Sequence, residues 1–214
     1  MFQGVTTGGS AASAGVATAG SVPAVAGQLY VAAVSSKPYV GTLAVSGLGL
    51  VWTELVDQCA GRSQTGISLW WARGTPGASG PVAATLASAP SNAVLAVTRY
   101  AGVNATNPVG PALGVNTNGT AGGCSGGIDT ASYSFSLTTT SPNGLVHAAA
   151  GIRQSPHTPG PGYTERVEIV QGTGGSVAGL AAMDRSFPSP GAAPVQGSIA
   201  STVDWAAAAV EVRP

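Results

Sequence analysis

The chain has 214 residues, of which only 7% are charged, with eight basic and eight acidic side chains and a formal net charge of zero. A chain without excess positive charge has no field that attracts a polyanion, which argues against a nucleic-acid partner. Hydrophobic residues make up 44% of the chain but are interrupted throughout by Gly, Pro, Ser and Thr, so no run is long enough for a membrane-spanning helix.

Low charge combined with small apolar side chains is typical of a protein that packs against neighbours. We therefore expect a homo-oligomer or association with the other proteins of an assembly. The first residues show neither the basic region nor the apolar core of a secretory signal. We expect a protein made without export, with a mature secreted form carrying an added Met as the alternative.

The chain begins with a segment of small, uncharged residues, 1–26, which predicts an extended arm or a first strand with weak register. Residues 27–214 are predicted to form a single domain, because all-β sandwiches of this size commonly share one core. The first half of this domain, 27–103, contains short β-rich runs separated by turn residues. These runs are 28–35, 37–45, 50–56, 67–73, 82–87 and 93–100.

A segment rich in Asn and Gly, 104–127, has no period and predicts a long loop between the halves. The second half, 128–214, opens with alternation of Tyr133, Phe135 and Leu137 with serines, which is typical of a half-buried strand. Further strands are predicted at 145–152, 163–170, 177–185, 195–201 and 205–212.

The two halves repeat one pattern. The pattern of residues 67–103 recurs in residues 180–214 when Pro81-Val82 is aligned with Pro194-Val195, which gives an offset of 113 residues (194 − 81 = 113). Short strands without a helical period predict an all-β, antiparallel, jelly-roll-like β-sandwich built from two pseudo-symmetric halves. We expect each half to contribute strands to both sheets around one core.

Three motifs resemble those of small-residue-rich β-sandwich modules in phage structural proteins and bacterial surface proteins. They are QLYVAAV at Gln28 to Val34, Val51-Trp52-Thr53, and WAAAAVEVRP at Trp205 to Pro214. The similarity covers most of the chain from about Ala26. It implies a sandwich fold and a structural role, and it implies no catalytic residues. The two cysteines and the Asn/Gly-rich segment depart from this family and suggest a specialised use.

No catalytic, cofactor-binding or metal-ligating residues are predicted. Gly123–Gly127 matches the G-x-S-x-G of a nucleophile elbow, but no apolar strand precedes it and no helix follows. His147 and His157 have no carboxylate or cysteine at metal-ligand spacing. Glu54 and Glu165 occupy equivalent repeat positions. The internal repeat accounts for both residues more simply than a pair of catalytic carboxylates of the glycosidase type.

Trp52, Trp71 and Tyr163 are the candidate contacts for a ligand or partner. Flat aromatic rings can stack on sugars, although core packing is the stronger alternative. Trp70 and Trp71 are neighbours in a predicted strand and must point to opposite faces, so we expect one in the core and the other against solvent, a partner or a ligand.

Cys59 and Cys124 are the two cysteines of the chain, and both lie in polar segments that contain Gly. Such positions favour a disulfide between them over inert buried thiols. Free thiols, or bonds between subunits, remain as alternatives because the sequence does not set the Cα separation.

Together these features predict a non-enzymatic structural component of a phage virion, such as a capsid decoration, fibre or tail protein. It would act through contacts with copies of itself or with other virion proteins. The alternative is a secreted bacterial adhesion or carbohydrate-binding module at the cell surface, with surface glycans as ligands. The low charge and the resemblance favour the virion, whereas the tryptophans and cysteines favour the alternative.

Overall fold

The computed structural model describes residues 1–153 and 156–214, and its regular structure is almost entirely β-strand. The strands are β1 (Phe2–Ala11), β2 (Gly15–Ala17), β3 (Leu29–Lys37), β4 (Thr42–Gly47), β5 (Thr53–Cys59), β6 (Gly66–Arg73), β7 (Val82–Leu86), β8 (Asn92–Tyr100), β9 (Val109–Asn116), β10 (Gly119–Thr120), β11 (Thr130–Thr139), β12 (Gly144–Ile152), β13 (His157–Pro159), β14 (Thr164–Gln171), β15 (Ala178–Phe187), β16 (Gly191–Val203) and β17 (Trp205–Val212). A 3-10 turn at Gly174–Ser176 lies between β14 and β15. Within the described residues, no helix has the length and apolar character needed to cross a membrane.

The strands form four antiparallel sheets, two from residues 1–103, which form the first half of the folded chain, and two from residues 104–214, which form the second half. The first large sheet has the order β1-β8-β3-β6-β5, and the second large sheet has the order β10-β9-β17-β12-β15-β14. The first small sheet is β2-β7-β4, and the second small sheet is β11-β16-β13. The predicted all-β, antiparallel sandwich architecture is confirmed.

The strand order is the same in both halves and is that of a jelly roll. In the first half, β1-β8-β3-β6 faces β2-β7-β4, and in the second half β9-β17-β12-β15 faces β11-β16-β13. The remaining strands, β5 and β14, pair with β6 and β15 in the large sheets. Both carry an irregularity at the same place, between Glu54 and Val56 in β5 and between Glu165 and Val167 in β14. This shared irregularity supports the internal repeat.

The four sheets stack in the order small, large, large, small, with a separate apolar core in each gap. The core of the first half includes Tyr30, Trp70 and Leu95, the core of the second half includes Val146, Met183 and Trp205, and the core between the two large sheets includes Val31, Leu180 and Ala208. The central strands of the large sheets are therefore buried on both faces, which explains their continuous apolar sequences.

This stacking corrects the expectation that each half contributes strands to both sheets of one sandwich. Every sheet contains strands of one half only. In β3, Leu29, Val31 and Ala33 face the other half, whereas Tyr30 and Ala32 face the first small sheet. A strand with apolar side chains on both faces needs an apolar partner on each face. Each large sheet therefore packs against its own small sheet on one face and against the other large sheet on the opposite face.

Two segments, predicted as an extended arm or first strand and as a long loop, contribute strands to the sheets. Segment 1–26, the predicted arm, contains β1, which pairs with β8, and β2, which pairs with β7. Segment 104–127, the predicted long loop, contains β9, which pairs with β17, and β10. An added Cβ at Gly110 would lie 1.9 Å from Glu211 Oε2, and one at Gly114 would lie 2.7 Å from Val56 Cγ1. These close approaches favour Gly at both positions, and Gly removes the side-chain alternation by which β9 could be recognised.

Candidate functional site

The outermost layers of the stack, the two small sheets, contain no Asp, Glu, Lys or Arg. Their strands read GVA, VAATL and TLAVSG in the first small sheet and TASYSFSLTT, GAAPVQGSIASTV and HTP in the second. The eight basic and eight acidic residues all lie on the large sheets or on connecting segments. We call the solvent-facing sides of the first and second small sheets the first and second outer faces.

The first outer face consists of small and apolar side chains. Ala44 and Ser46 of β4 and Thr85 of β7 are exposed. Leu43 is 64% exposed and lies where the pairing of β4 with β7 shifts, between Thr42 and Ala44. An irregular strand turns an extra side chain outward at such a position. Leu43 therefore projects from the first outer face among smaller side chains.

The second outer face carries a groove of about 380 Å³. Its sides include the hydroxyl and amide side chains of Ser132, Ser134, Thr158, Gln196 and Ser198, and the turn that follows β13 also lines it. Polar groups without charge cost less to bury than ions, provided that they find hydrogen-bond partners. The groove is therefore suited to a neutral surface or ligand.

A close backbone contact shapes the wall of this groove. The Gly160 N–H donates to the Gln196 carbonyl oxygen at 2.8 Å. An added Cβ at Gly160 would lie 2.6 Å from the same oxygen. Only a residue without a side chain lets this turn fold against β16.

A buried hydrogen-bonded chain holds β13 beneath the groove. The Tyr133 hydroxyl lies 2.8 Å from His157 Nε2, and His157 Nδ1 lies 2.6 Å from Glu165 Oε2. Burial, together with the negative charge of Glu165, raises the pKa of Tyr133 far above its usual value. An added Cβ at Gly197 would lie 2.5 Å from the Tyr133 hydroxyl oxygen, so the chain runs directly under Gly197. Tyr133 is only 4% exposed, and the chain therefore anchors the sheet rather than presenting a reactive group.

A second buried polar group joins the two halves of the molecule. The Tyr100 hydroxyl of β8 donates to Asp184 Oδ2 of β15 at 3.0 Å and lies 2.9 Å from His147 Nδ1 of β12. Arg166, the irregular residue of β14, donates to both carboxylate oxygens of Asp184, at 2.9 and 2.8 Å. Since the one hydroxyl hydrogen of Tyr100 is used on Asp184, His147 donates from Nδ1 and leaves Nε2 as an acceptor.

Burial lowers the pKa of His147 to about 4, and the negative charge of Asp184 only partly opposes this effect. His147 Nε2 has no hydrogen-bond partner among the described residues, so its protonation would create a buried donor without an acceptor. His147 is therefore neutral near pH 7. Burial, followed by the charge of Asp184, raises the pKa of Tyr100.

The first half has apolar residues where the second half has this polar group. His147 pairs with Asp184, and the equivalent strands pair Val31 with Trp71. The irregular residue equivalent to Arg166 is Leu55. The polar group is thus a departure from the internal repeat, and it lies at one side of the interface between the halves.

Cys59 and Cys124 form a disulfide that spans 65 residues and joins the end of β5 to the segment after β10. Amide side chains hold this segment further: Asn116 donates to the Cys59 and Gly122 carbonyl oxygens, and Asn118 donates to Ser125 O at 2.9 Å. The G-x-S-x-G match falls within this disulfide-bonded segment and not at a turn between a strand and a helix.

The structure places the three candidate aromatic contacts apart. Trp52 lies in the core of the first half, where its indole N–H donates to Gly47 O at 3.2 Å, and Tyr163 lies in the core of the second half. Trp71 packs half-buried against the core between the large sheets, whereas Trp70 faces the core of the first half. The two neighbouring indoles thus point to opposite faces. The three candidates form no shared platform, and their role as ligand or partner contacts stays a prediction.

Glu54 and Glu165 lie in different sheets, β5 and β14, and do not form a carboxylate pair. Sequence reasoning treated Glu165 and His157 separately and missed the chain in which His157 contacts both Glu165 and Tyr133. Their 24- to 32-residue separations from Tyr133 gave no local spacing signal, and the β13 strand that brings them together has only three residues.

Within the described residues, no cluster of three or more His, Cys, Asp or Glu side chains is arranged to hold a metal ion. Comparisons of the chain with protein-family models, with curated proteins and with solved structures found no match.

Proposed function

We propose that the protein is a non-enzymatic structural component of a larger assembly, and specifically of a phage virion, as a capsid decoration, fibre or tail protein. The observation that carries this proposal is the pair of uncharged outer faces on opposite sides of the four-layer stack. A chain with two such faces can contact two neighbours at once, as a lattice or a fibre requires.

Physical reasons favour these faces as contact surfaces. The centre of a protein interface is depleted in charged residues, because each unpaired ion buried on association costs several kcal/mol. Many exposed side chains of the outer faces, such as those of Ala44, Ser46 and Ser198, are short, so little side-chain entropy is lost when they are held in a contact. Both properties lower the cost of association.

The disulfide and the sequence resemblance support the choice of a virion. Disulfides persist in oxidising surroundings, such as those met by particles released from a cell. The alternative, a secreted adhesion or carbohydrate-binding module, shares this property. It is less favoured because Trp52 and Tyr163 are buried in separate cores, where their ring faces are covered.

Density-gradient fractionation of cultures that produce the protein, followed by detection with an antibody, tests the proposal. We expect the chain in the fraction that contains virus particles, in a fixed ratio to the other particle proteins after repeated banding. Recovery only in the particle-free fraction, together with binding to a glycan array, would instead support the carbohydrate-binding alternative.

A further inference from the structure

The second small sheet ends in an edge strand, β11, that is long and uncharged. β11 has ten residues and pairs with β16 in one continuous register from Ser132 to Thr139. The equivalent edge strand of the first half, β2, has three residues. A long exposed edge offers unpaired backbone N–H and C=O groups to another strand, and proteins usually block such edges.

The other edges of the four sheets are short, irregular, charged or covered. β10 and β13 have two and three residues, and the pairing of β4 with β7 is irregular. β5 and β14 combine an irregularity with charged residues, and β9 contains Pro111. In the middle of β1, the Thr7 carbonyl oxygen accepts from the Ala19 N–H at 2.8 Å. From Ser132 to Thr139, β11 has none of these features.

The hydrogen bonds of β16 show which backbone groups of β11 point to the free edge. β16 lies between β13 and β11, so its successive residues direct their backbone groups to the two neighbours in turn. The Gly160 N–H donates to Gln196 O at 2.8 Å, and the Ala200 N–H donates to Pro156 O at 3.0 Å. Even-numbered residues of β16 therefore bond on the β13 side, and odd-numbered residues bond to β11, opposite Tyr133, Phe135, Leu137 and Thr139. The residues of β11 that direct their N–H and C=O groups outward are thus Ser132, Ser134, Ser136 and Thr138.

These four residues have no backbone partner on the outer side among the described residues. The Ser132 carbonyl oxygen accepts from the Thr130 hydroxyl at 3.0 Å and has a second lone pair. All four residues are exposed. The edge therefore presents donors and acceptors at every second residue, a pattern that another extended strand satisfies.

We propose that two copies of this chain pair antiparallel along β11, about a twofold axis at Phe135, so that their second small sheets form one continuous sheet. This contact rests on the proposed structural function and names its partner as a second copy of the chain. A twofold contact uses the same surface of both copies and closes as a dimer.

The register of the outward groups favours a second copy as the partner. The four outward residues match the same four residues of another copy in one antiparallel register, with Ser134 opposite Ser136 and Ser132 opposite Thr138. Each of these residue pairs exchanges two backbone hydrogen bonds. The same register places short hydroxyl side chains opposite one another on the outer face, where such pairs stabilise a sheet.

Phe135 gives a second reason, because its ring is incompletely covered. Its side chain points to the same face as those of Tyr133 and Leu137, which are buried, but Phe135 itself is half-buried against the core of the second half. The proposed register makes the two copies of Phe135 a non-hydrogen-bonded pair, in which side chains approach most closely. Each ring then covers apolar surface that the other leaves in water.

Sedimentation velocity of the full chain over a range of concentrations tests the pairing. Wild type is expected to form a dimer. Ser136→Pro removes one outward N–H and leaves the bonds to β16 in place, so it is expected to raise the dissociation constant of the dimer at least about tenfold. Ser136→Ala is the matched control, because it keeps the N–H, and it is expected to dimerise as wild type does.

Cysteine cross-linking tests the register independently of Ser136→Pro. Both native cysteines are in the disulfide, so one added thiol reports one contact. Phe135→Cys is expected to form a covalent dimer on mild oxidation, since the two thiols face each other across the axis. Thr138→Cys is the control, because its two copies lie six residues apart along the paired strands, about 20 Å. Thermal unfolding checks that each variant remains folded.

A wild type that stays monomeric at every concentration, equal dimerisation of the two Ser136 variants, or equal cross-linking at the two cysteine positions would overturn this pairing. Capture of a different particle protein by Phe135→Cys, without a dimer, would also overturn it by assigning the edge to that protein. A monomer that still bands with particles on a gradient would overturn the pairing while leaving the proposed function intact. The expected cross-linked dimer, recovered only in the particle-free fraction, would support the pairing and contradict the proposed virion.

Discussion

The Tyr100 hydroxyl lies 3.0 Å from Asp184 Oδ2 and joins the large sheet of the first half to that of the second. Its position is fully buried, and its second neighbour is His147 Nδ1 at 2.9 Å. A single phenolic oxygen thus satisfies two polar groups in the central core of the stack.

Replacing Tyr100 by Phe should destabilise the protein by about 2 kcal/mol, because Asp184 and His147 would each lose a buried hydrogen-bond partner. Urea unfolding at pH 7 measures this change. Tyr39→Phe is the control, since it also removes a Tyr–Asp hydrogen bond, to Asp57, but near the surface. We expect a loss of about 0.5 kcal/mol or less for the control. Equal losses in the two variants would contradict a special role for the buried contact.

Mild acid should destabilise the fold through His147. Burial lowers its pKa from 6.5 to about 4, so between these values the unfolded chain binds a proton that the folded chain does not. The contribution of neutral His147 to the free energy of unfolding is therefore fully present above about pH 6.5 and is lost as the pH decreases toward about 4. The expected loss between about pH 7 and pH 5 is about 2 kcal/mol.

His147→Val tests this assignment, because Val is the residue at the equivalent position of the first half, Val31. The variant should lose less stability than wild type over the same pH interval, as measured by urea unfolding at each pH. His157 is present in both proteins, so the difference between them isolates His147. The pKa of Glu211 is also shifted: burial raises it, but the hydrogen bonds from Thr140 and Ser141 together lower it by more. The stability that Glu211 contributes is therefore lost in a more acidic range than that of His147. Identical pH dependence in wild type and variant would contradict the assignment.

Reduction of the Cys59–Cys124 disulfide should cost about 3 to 4 kcal/mol, since the bridge restricts a 65-residue span of the unfolded chain. Denaturant unfolding with and without dithiothreitol measures the effect. A Cys59→Ala/Cys124→Ala variant is the control and should show no dependence on the reductant. An unchanged midpoint for reduced wild type, with both thiols then accessible to alkylation, would contradict a stabilising bridge.

Gly151→Ala should destabilise the packing of the two large sheets by about 2 kcal/mol or more. An added Cβ at Gly151 would lie 2.3 Å from the carbonyl oxygen of Gly66, a backbone atom that cannot rotate away. Gly77→Ala is the control, because an added Cβ there meets no atom within 4 Å. We expect the thermal midpoint to fall for Gly151→Ala and to change little for Gly77→Ala. Similar midpoints for both variants would contradict the close approach of the sheets at Gly151.

Local sequence pattern was sufficient for the strand class and for most strand positions. The alternation of Tyr133, Phe135 and Leu137 with serines marks β11, because a strand with one face in a core and one in solvent has a period of two. The internal repeat also follows from sequence, since equivalent strands need the same apolar and turn residues. The polar surroundings of Cys59 and Cys124 indicated the disulfide, although not its geometry.

Tertiary structure alone decided how the halves are assembled and where polar groups meet. An apolar run such as that of β3 shows that both faces are buried, but it does not say whether the second face meets a sheet of its own half or of the other half. Tyr100, His147, Asp184 and Arg166 lie on four strands, and no spacing along the chain encodes their contact. Two uncharged sheets reach opposite outer surfaces only because the charged large sheets pack against each other. Packing of sheets depends on contacts between residues distant in sequence, and for this reason the outer faces were not recognisable before the fold was known.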